Sequence, residues 1–134
     1  MLTVTKHFRF EACHHLPYYE GACHNLHGHS YKLSVTVGGH IIKDGPKQGM
    51  ILDFKDLKKI VKDNVVDRLD HVDLNTLYEN PTAEIMVVDI AQSIMQKLPK
   101  DIYLESVKLW ETEDSYAEYR PSYESLGSIL KPAT

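Results

Sequence analysis

Cysteine is scarce in this chain: Cys13 and Cys23 are the only two among 134 residues. A small secreted domain stapled by disulfides carries more, so reduced thiols in a cytoplasmic protein are expected. No apolar run approaches the roughly 18 residues a membrane-crossing helix needs. Residues Met1–Phe10 alternate polar and apolar side chains, unlike the apolar centre of a signal peptide. Cationic excess is missing too. Lys and Arg total 15 against 19 Asp and Glu, a net charge of -4, which argues against general attraction to nucleic acid. A local basic pocket for a polyanionic small molecule remains compatible with that balance. Repeats of solenoid period and low-complexity runs are absent as well. The length suits one domain with its own core, spanning residues 1–134.

What the chain has in abundance is histidine. There are eight, and His14, His15, His24, His27 and His29 fall within 16 residues. The flanking patterns place them. Leu2, Val4, Phe8, Phe10 and Ala12 share one parity and Thr3, Thr5, His7, Arg9 and Glu11 the other, the signature of a half-buried strand. A break around Pro17 and Gly21 follows. Tyr31, Leu33, Val35 and Val37 then alternate with Ser30, Lys32, Ser34 and Thr36, and Gly38-Gly39 ends that strand. After a turn over Lys43–Gly49 the period changes. Asp53 is a candidate N-cap, and Phe54, Leu57, Ile60, Val61 and Val65 follow at helical spacing. Residues 68–79 read as irregular. Asn80 as cap and Pro81 at the first helical position predict a second helix, with Val87, Ile90, Ala91, Ile94 and Leu98 on its buried stripe. Strands are expected over about 102–111 and 116–120. The order is α+β, a four-stranded antiparallel sheet with two helices on one face. Residues 121–134 form a C-terminal extension.

His27 and His29 are two apart at the start of a strand, so both imidazoles point to one face. Gly28 between them leaves room for close backbone approach. His14 ends the first strand on the parity of Phe10 and Ala12. If the two strands pair antiparallel, His14 comes beside His27 and His29. Three neutral imidazoles with an open fourth position is the arrangement of a catalytic zinc site. The spacing from Cys13 through Cys23 to His27 and His29 does not suit a zinc finger, and no Pro-Cys-x-x-Cys element supports deaminase chemistry.

Five short motifs occur in order: Phe10-Glu11-Ala12-Cys13-His14, Cys23-x-x-x-His27-Gly28-His29, Leu69-Asp70-His71, Pro81-Thr82-Ala83-Glu84 and Trp110-Glu111-Thr112. Together the chain resembles the 6-pyruvoyl-tetrahydropterin synthase family from about residue 3 to about residue 120. The resemblance implies subunits that close three at a time into a β-barrel and stack as a homohexamer, with active sites between subunits. It implies zinc on His14, His27 and His29. Cys23 would be the proton acceptor, which needs cationic help to become a thiolate. Asp70 and His71 would relay protons. Glu111 would anchor a pterin ring through two N–H bonds and join the relay. Thr82, Ala83 and Glu84 would help hold the ring, with first-turn amides available.

Without the resemblance these residues have plainer readings. Cys23 is then an inert thiol, Asp70-His71 a loop pair, Glu111 an exposed strand carboxylate and Glu84 a first-turn charge favouring the helix dipole. Cys13 reads as the structural cysteine because its parity opposes His14. His7 and His40 read as exposed, and His15 and His24 as neighbours of the site. Arg9, Lys32 and Lys55 are triphosphate candidates on charge alone. Three residues separate Cys23 from His27, which resembles the 6-carboxytetrahydropterin synthase branch of queuosine biosynthesis. Ala22 stands where the folate-linked branch has a glutamate. The resemblance implies conversion of 7,8-dihydroneopterin triphosphate and water to 6-carboxy-5,6,7,8-tetrahydropterin, acetaldehyde and triphosphate. The rival readings are 6-pyruvoyltetrahydropterin formation and a non-catalytic pterin- or zinc-binding module.

Overall fold

The structure, a computed structural model, describes residues 2–123. It contains β1 (Thr3–His14), β2 (His27–Gly38), α1 (Phe54–Val61), α2 (Asp67–Leu69), β3 (Val72–Asp73), α3 (Ala83–Met95), β4 (Tyr103–Thr112) and β5 (Ser115–Tyr119). The sheet order is β3-β1-β2-β4-β5. The expected four antiparallel strands are all present. The expectation of four strands is corrected by β3, a two-residue strand parallel to β1 at Ala12↔Val72 and Cys13↔Asp73. Its brevity hid it: two residues carry no readable period.

Alternation sets which face is buried. Phe10 and Ala12 of β1, Tyr31, Leu33, Val35 and Val37 of β2, and Leu104, Val107 and Leu109 of β4 form one core with the helices. Each buried aliphatic or aromatic side chain contributes about 1.5–3 kcal/mol, so this face fixes the register. Two irregularities interrupt β4. Partners of β2 skip Glu105, and partners of β5 skip Glu111. Each glutamate is the extra residue of a bulge, a device that re-aims a side chain.

The first helix begins where Asp53 accepts from the Lys55 N–H at 2.9 Å, as expected. Leu57, Val61, Val65 and Leu69 are all fully buried. A strict spacing of four drifts about 40° per step on a helix of 3.6 residues per turn. The wider π turn at Lys62–Val66, between α1 and α2, offsets that drift. The Asn64 side-chain amide donates to the Ile60 carbonyl at 2.8 Å within this turn. Phe54, placed on the buried stripe by spacing, is 49% exposed: it occupies the first helical position, at the rim.

Residues 68–79 are more ordered than expected, holding the end of α2, β3 and a 3-10 turn at Leu74–Thr76. The second helix starts later than expected. Thr82 is the cap, accepting from the Ile85 N–H at 3.2 Å, and Ala83 begins α3. Asn80 instead accepts from the Thr82 N–H at 2.8 Å. The helix stops at Met95, so Leu98 lies beyond it. The expected extension 121–134 lies outside the described residues after Tyr123.

Candidate metal centre and active site

Antiparallel pairing of β1 and β2 sets His14 opposite His27 and Ala12 opposite His29. The three imidazoles therefore meet at one end of the sheet, on its helix-covered face. Their ring centroids are 4.6 Å (His14–His27), 5.0 Å (His14–His29) and 4.8 Å (His27–His29) apart. One ligand atom from each lies within 4.8 Å of the others. His14 is fully buried, while His27 and His29 are half-buried.

The second ring nitrogens show what this cluster can hold. His14 Nδ1 lies 2.8 Å from the Pro81 carbonyl oxygen, and His27 Nδ1 lies 2.7 Å from the Asn25 carbonyl oxygen. A carbonyl only accepts, so both Nδ1 atoms carry hydrogen and donate. In the neutral rings both Nε2 atoms are then lone pairs, yet they face each other at 3.0 Å. Two lone pairs at that distance need a cation between them. An ion about 2.0–2.1 Å from each would see them at about 94°, near the tetrahedral range of a nitrogen-bound zinc. His29 Nε2 is buried without a hydrogen-bond partner, a third donor atom awaiting a charge. The residues present therefore fit a metal. Burial holds His14 and His29 below the usual histidine range, outweighing the Glu111 carboxylate that acts the other way. Both rings are thus neutral near pH 7, the form that ligates.

Carbonyls that orient ligating histidines are part of such a site. The late start of α3 leaves Pro81 outside the helix, with its carbonyl turned to His14. The Tyr31 hydroxyl oxygen lies 3.3 Å from the same Nδ1 as a longer second acceptor. Sequence reasoning missed both anchors. Tyr31 was visible only as a core position, and a backbone carbonyl leaves no signature.

Glu111 reaches the cluster, with Oε1 3.4 Å from His29 Nε2. Glu111 continues the parity of buried Val107 and Leu109, which points it to the inner face. Thr82 is committed as helix cap, Ala83 is half-buried and Glu84 is exposed in the first turn. The Ala83 and Glu84 amides have no acceptor inside the helix.

Cys23 sits in a 3-10 turn at Ala22–His24. Its carbonyl accepts from the Leu16 N–H at 2.8 Å, and its thiol is outside the three-histidine cluster. Asp70 and His71 lie elsewhere, on the outer edge of β1. Asp70 Oδ1 accepts from the Glu11 N–H at 2.9 Å and meets His71 Nδ1 at 2.9 Å. The Glu11 bond chiefly, and His71 next, hold the Asp70 carboxyl below its usual range. The His71 N–H donates to the Glu11 carbonyl at 2.5 Å. His71 has φ 60°, a left-handed backbone that costs a non-glycine residue about 1–3 kcal/mol and is found at functional sites. Its side chain is 77% exposed, and among the described residues it makes no hydrogen bond with Cys23.

His71 lines a cavity of about 530 Å³ with Glu11, Cys13, Gly28, His29 and Asp73. His29 is common to this cavity and the cluster. Cys13, read from its parity as the structural cysteine of the two, borders the cavity and is half-buried. A Cβ on Gly28 would meet only the Ala12 carbonyl, at 3.7 Å, an ordinary contact, so close backbone approach does not require this glycine. His7 and His40 are exposed as expected, His15 is half-buried and His24 exposed. Lys32 Nζ lies 4.6 Å over the Trp110 ring, while Arg9 of β1 and Lys55 of α1 are exposed.

Residues 3–122 match the family described as 6-pyruvoyl tetrahydropterin synthase. The chain is 35% identical to the 6-carboxy-5,6,7,8-tetrahydropterin synthase of Haemophilus influenzae, over 90% of this chain and 99% of that protein. It is 44% identical to the dihydroneopterin monophosphate aldolase of Pyrococcus furiosus, over 64% of this chain and 70% of the relative. The Caenorhabditis elegans 6-pyruvoyl tetrahydropterin synthase structure superposes with a TM-score of 0.76 at 25% identity, covering 90% of this chain and 96% of that one.

Proposed function

This chain belongs to the 6-pyruvoyl tetrahydropterin synthase family, and we propose that it is a zinc-dependent carbon–carbon lyase of queuosine biosynthesis. It converts 7,8-dihydroneopterin triphosphate and water to 6-carboxy-5,6,7,8-tetrahydropterin, acetaldehyde and triphosphate. The observation carrying this reading is the cluster of His14, His27 and His29 with the Glu111 carboxylate at its rim. The three-residue gap between Cys23 and His27 and the near full-length Haemophilus influenzae relative support the branch.

Bound by the three imidazoles, zinc supplies a Lewis acid for oxygens of the substrate side chain. Glu111 accepts two N–H bonds from the pterin edge and fixes the ring against the cluster. Thr82, Ala83 and Glu84 hold the ring from the start of α3. Cys23 takes a proton from the side chain, and His71, paired with Asp70, passes it on. Because His71 is exposed and makes no hydrogen bond with Cys23 among the described residues, the relay is read as shared between copies. The outer edges of β5 and of residues 3–11 in β1 have no strand partner among the described residues. Such edges suit closure into a trimeric barrel, stacked as a homohexamer. Free Cys13 and Cys23 thiols suit the reducing cytoplasm.

The test is to incubate the zinc-loaded protein with dihydroneopterin triphosphate and identify every product. Acetaldehyde with 6-carboxytetrahydropterin is expected. A 6-pyruvoyl product without acetaldehyde would overturn the branch. Preferential turnover of dihydroneopterin monophosphate would point instead to the reaction named for the Pyrococcus furiosus relative. Cys23→Ala is expected to keep zinc and lose turnover; unchanged turnover would remove Cys23 from the chemistry.

A further inference from the structure

A seam of contacts runs along the outer edge of β1 from Glu11 to His15. Asp70 and His71 grip the backbone of Glu11. Val72 and Asp73 pair with Ala12 and Cys13. The chain then leaves the sheet as a 3-10 turn, and its backbone can no longer follow β1. Asn75, in that turn, continues the ladder with its side chain. Its Oδ1 accepts from the His15 N–H at 2.9 Å, and its Nδ2 donates to the His15 carbonyl at 3.0 Å. One planar amide thus satisfies both backbone groups of the residue after His14. Only a side chain with a donor and an acceptor side by side does this. Asn75 is itself fixed, since its N–H donates to Asp73 Oδ1 at 3.0 Å.

The next link leads to the thiol. The Leu16 N–H, one residue past the gripped backbone, donates to the Cys23 carbonyl at 2.8 Å. The loop carrying Cys23 is therefore tied to β1 immediately after the point Asn75 holds. A second tie runs from the same loop, where the Tyr18 hydroxyl donates to Glu79 at 2.5 Å, but both of those side chains are exposed.

We infer that Asn75 is a positioning residue that sets the Cys23 loop against the metal ligands. The inference rests on reading Cys23 as the proton acceptor. It touches neither metal nor substrate; it acts through His15 and Leu16. Removing the amide leaves the three ligands on their strands and frees the loop. Misplacement by about 1 Å can cost about 100-fold in rate.

The test uses the zinc-loaded full-length protein and two variants, Asn75→Asp, which keeps the shape but places a second oxygen against the His15 carbonyl, and Asn75→Ala. Three quantities are measured: zinc per chain, kcat and KM, and the alkylation rate of Cys23 by iodoacetamide, resolved from Cys13 by peptide mass spectrometry. Both variants are expected to keep one zinc per chain and a KM within about 3-fold. Their kcat is expected to fall about 10- to 100-fold, with Cys23 alkylated at least 3-fold faster or slower than in the parent. An unchanged alkylation rate in both variants would overturn the inference. So would loss of zinc and folded protein together in both, which marks a merely structural role. If Cys23→Ala retains full turnover, the proton-acceptor reading fails; the alkylation comparison still decides whether Asn75 sets the loop.

Discussion

His14 and His27 hold the same proposed ion, yet they differ in what else they support. The His14 ring is fully buried and packs against His27, His29 and Tyr31. Its Nδ1–H satisfies the buried Pro81 carbonyl. His14→Ala leaves that carbonyl without its partner, costing about 1–3 kcal/mol. It also opens a void smaller than that of a phenylalanine truncation, whose cost is about 3–5 kcal/mol. Together, about 2–4 kcal/mol is expected in the metal-free protein. His27 is half-buried, and its carbonyl partner, Asn25, lies in an exposed turn where water can replace the ring. His27→Ala should cost less than about 1 kcal/mol. Urea unfolding in chelator reads the difference. With a slope of about 2 kcal/mol per molar urea, the middle of the usual range, the midpoint should drop by about 1–2 M for His14→Ala and by much less for His27→Ala. Zinc binding, measured separately, should be lost in both. Equal destabilisation by the two variants, or retained stoichiometric zinc in either, would refute the argument.

Other outcomes follow from the same geometry. Glu111→Gln should keep zinc and weaken substrate binding about 10- to 100-fold, because a charge-assisted bond is worth about 1.5–3 kcal/mol; unchanged KM in steady-state kinetics would remove Glu111 from ring recognition. His14 and His29 are held below the usual histidine value of 6.5 in the fold. Unfolding therefore takes up protons below that value, and their contribution to stability is fully present above it and lost as pH falls toward the folded values. The metal-free protein should have a lower urea midpoint at pH 5.5 than at 7.5, and His29→Gln should flatten that slope; a pH-independent difference between parent and variant would contradict the assignment. Leu69→Ala, at a fully buried position just before Asp70, should cost about 2–5 kcal/mol, checked by chemical unfolding. Thr82→Ala removes the cap of α3 and should cost about 0.5–2 kcal/mol, read the same way.

The metal cluster was legible in the sequence because it uses strand geometry. Parity put His14 on the face of Phe10 and Ala12, and a spacing of two put His27 and His29 on one side of β2. Antiparallel pairing did the rest. What escaped is structure that side chains do not spell. β3 is too short for a period, and Val72-Asp73 reads like any loop. Asn80-Pro81 imitates a helix start, but Pro81 is held at the end of a turn with its carbonyl on His14, and Thr82 takes the cap. Glu111 was recognised through its motif, while the bulge it occupies was not. Asn75 left no signal because its partners are backbone atoms 60 residues away in the chain. The proposed relay marks another limit: contacts between copies would leave no pattern within one chain.

X-ray absorption at the zinc edge of the loaded protein tests the metal centre most directly. The account predicts imidazole nitrogens at about 2.0–2.1 Å and no sulfur, since the thiol of Cys23, the proposed base, stands outside the cluster. A sulfur scatterer at about 2.3 Å would make Cys23 a ligand and contradict the proposed chemistry.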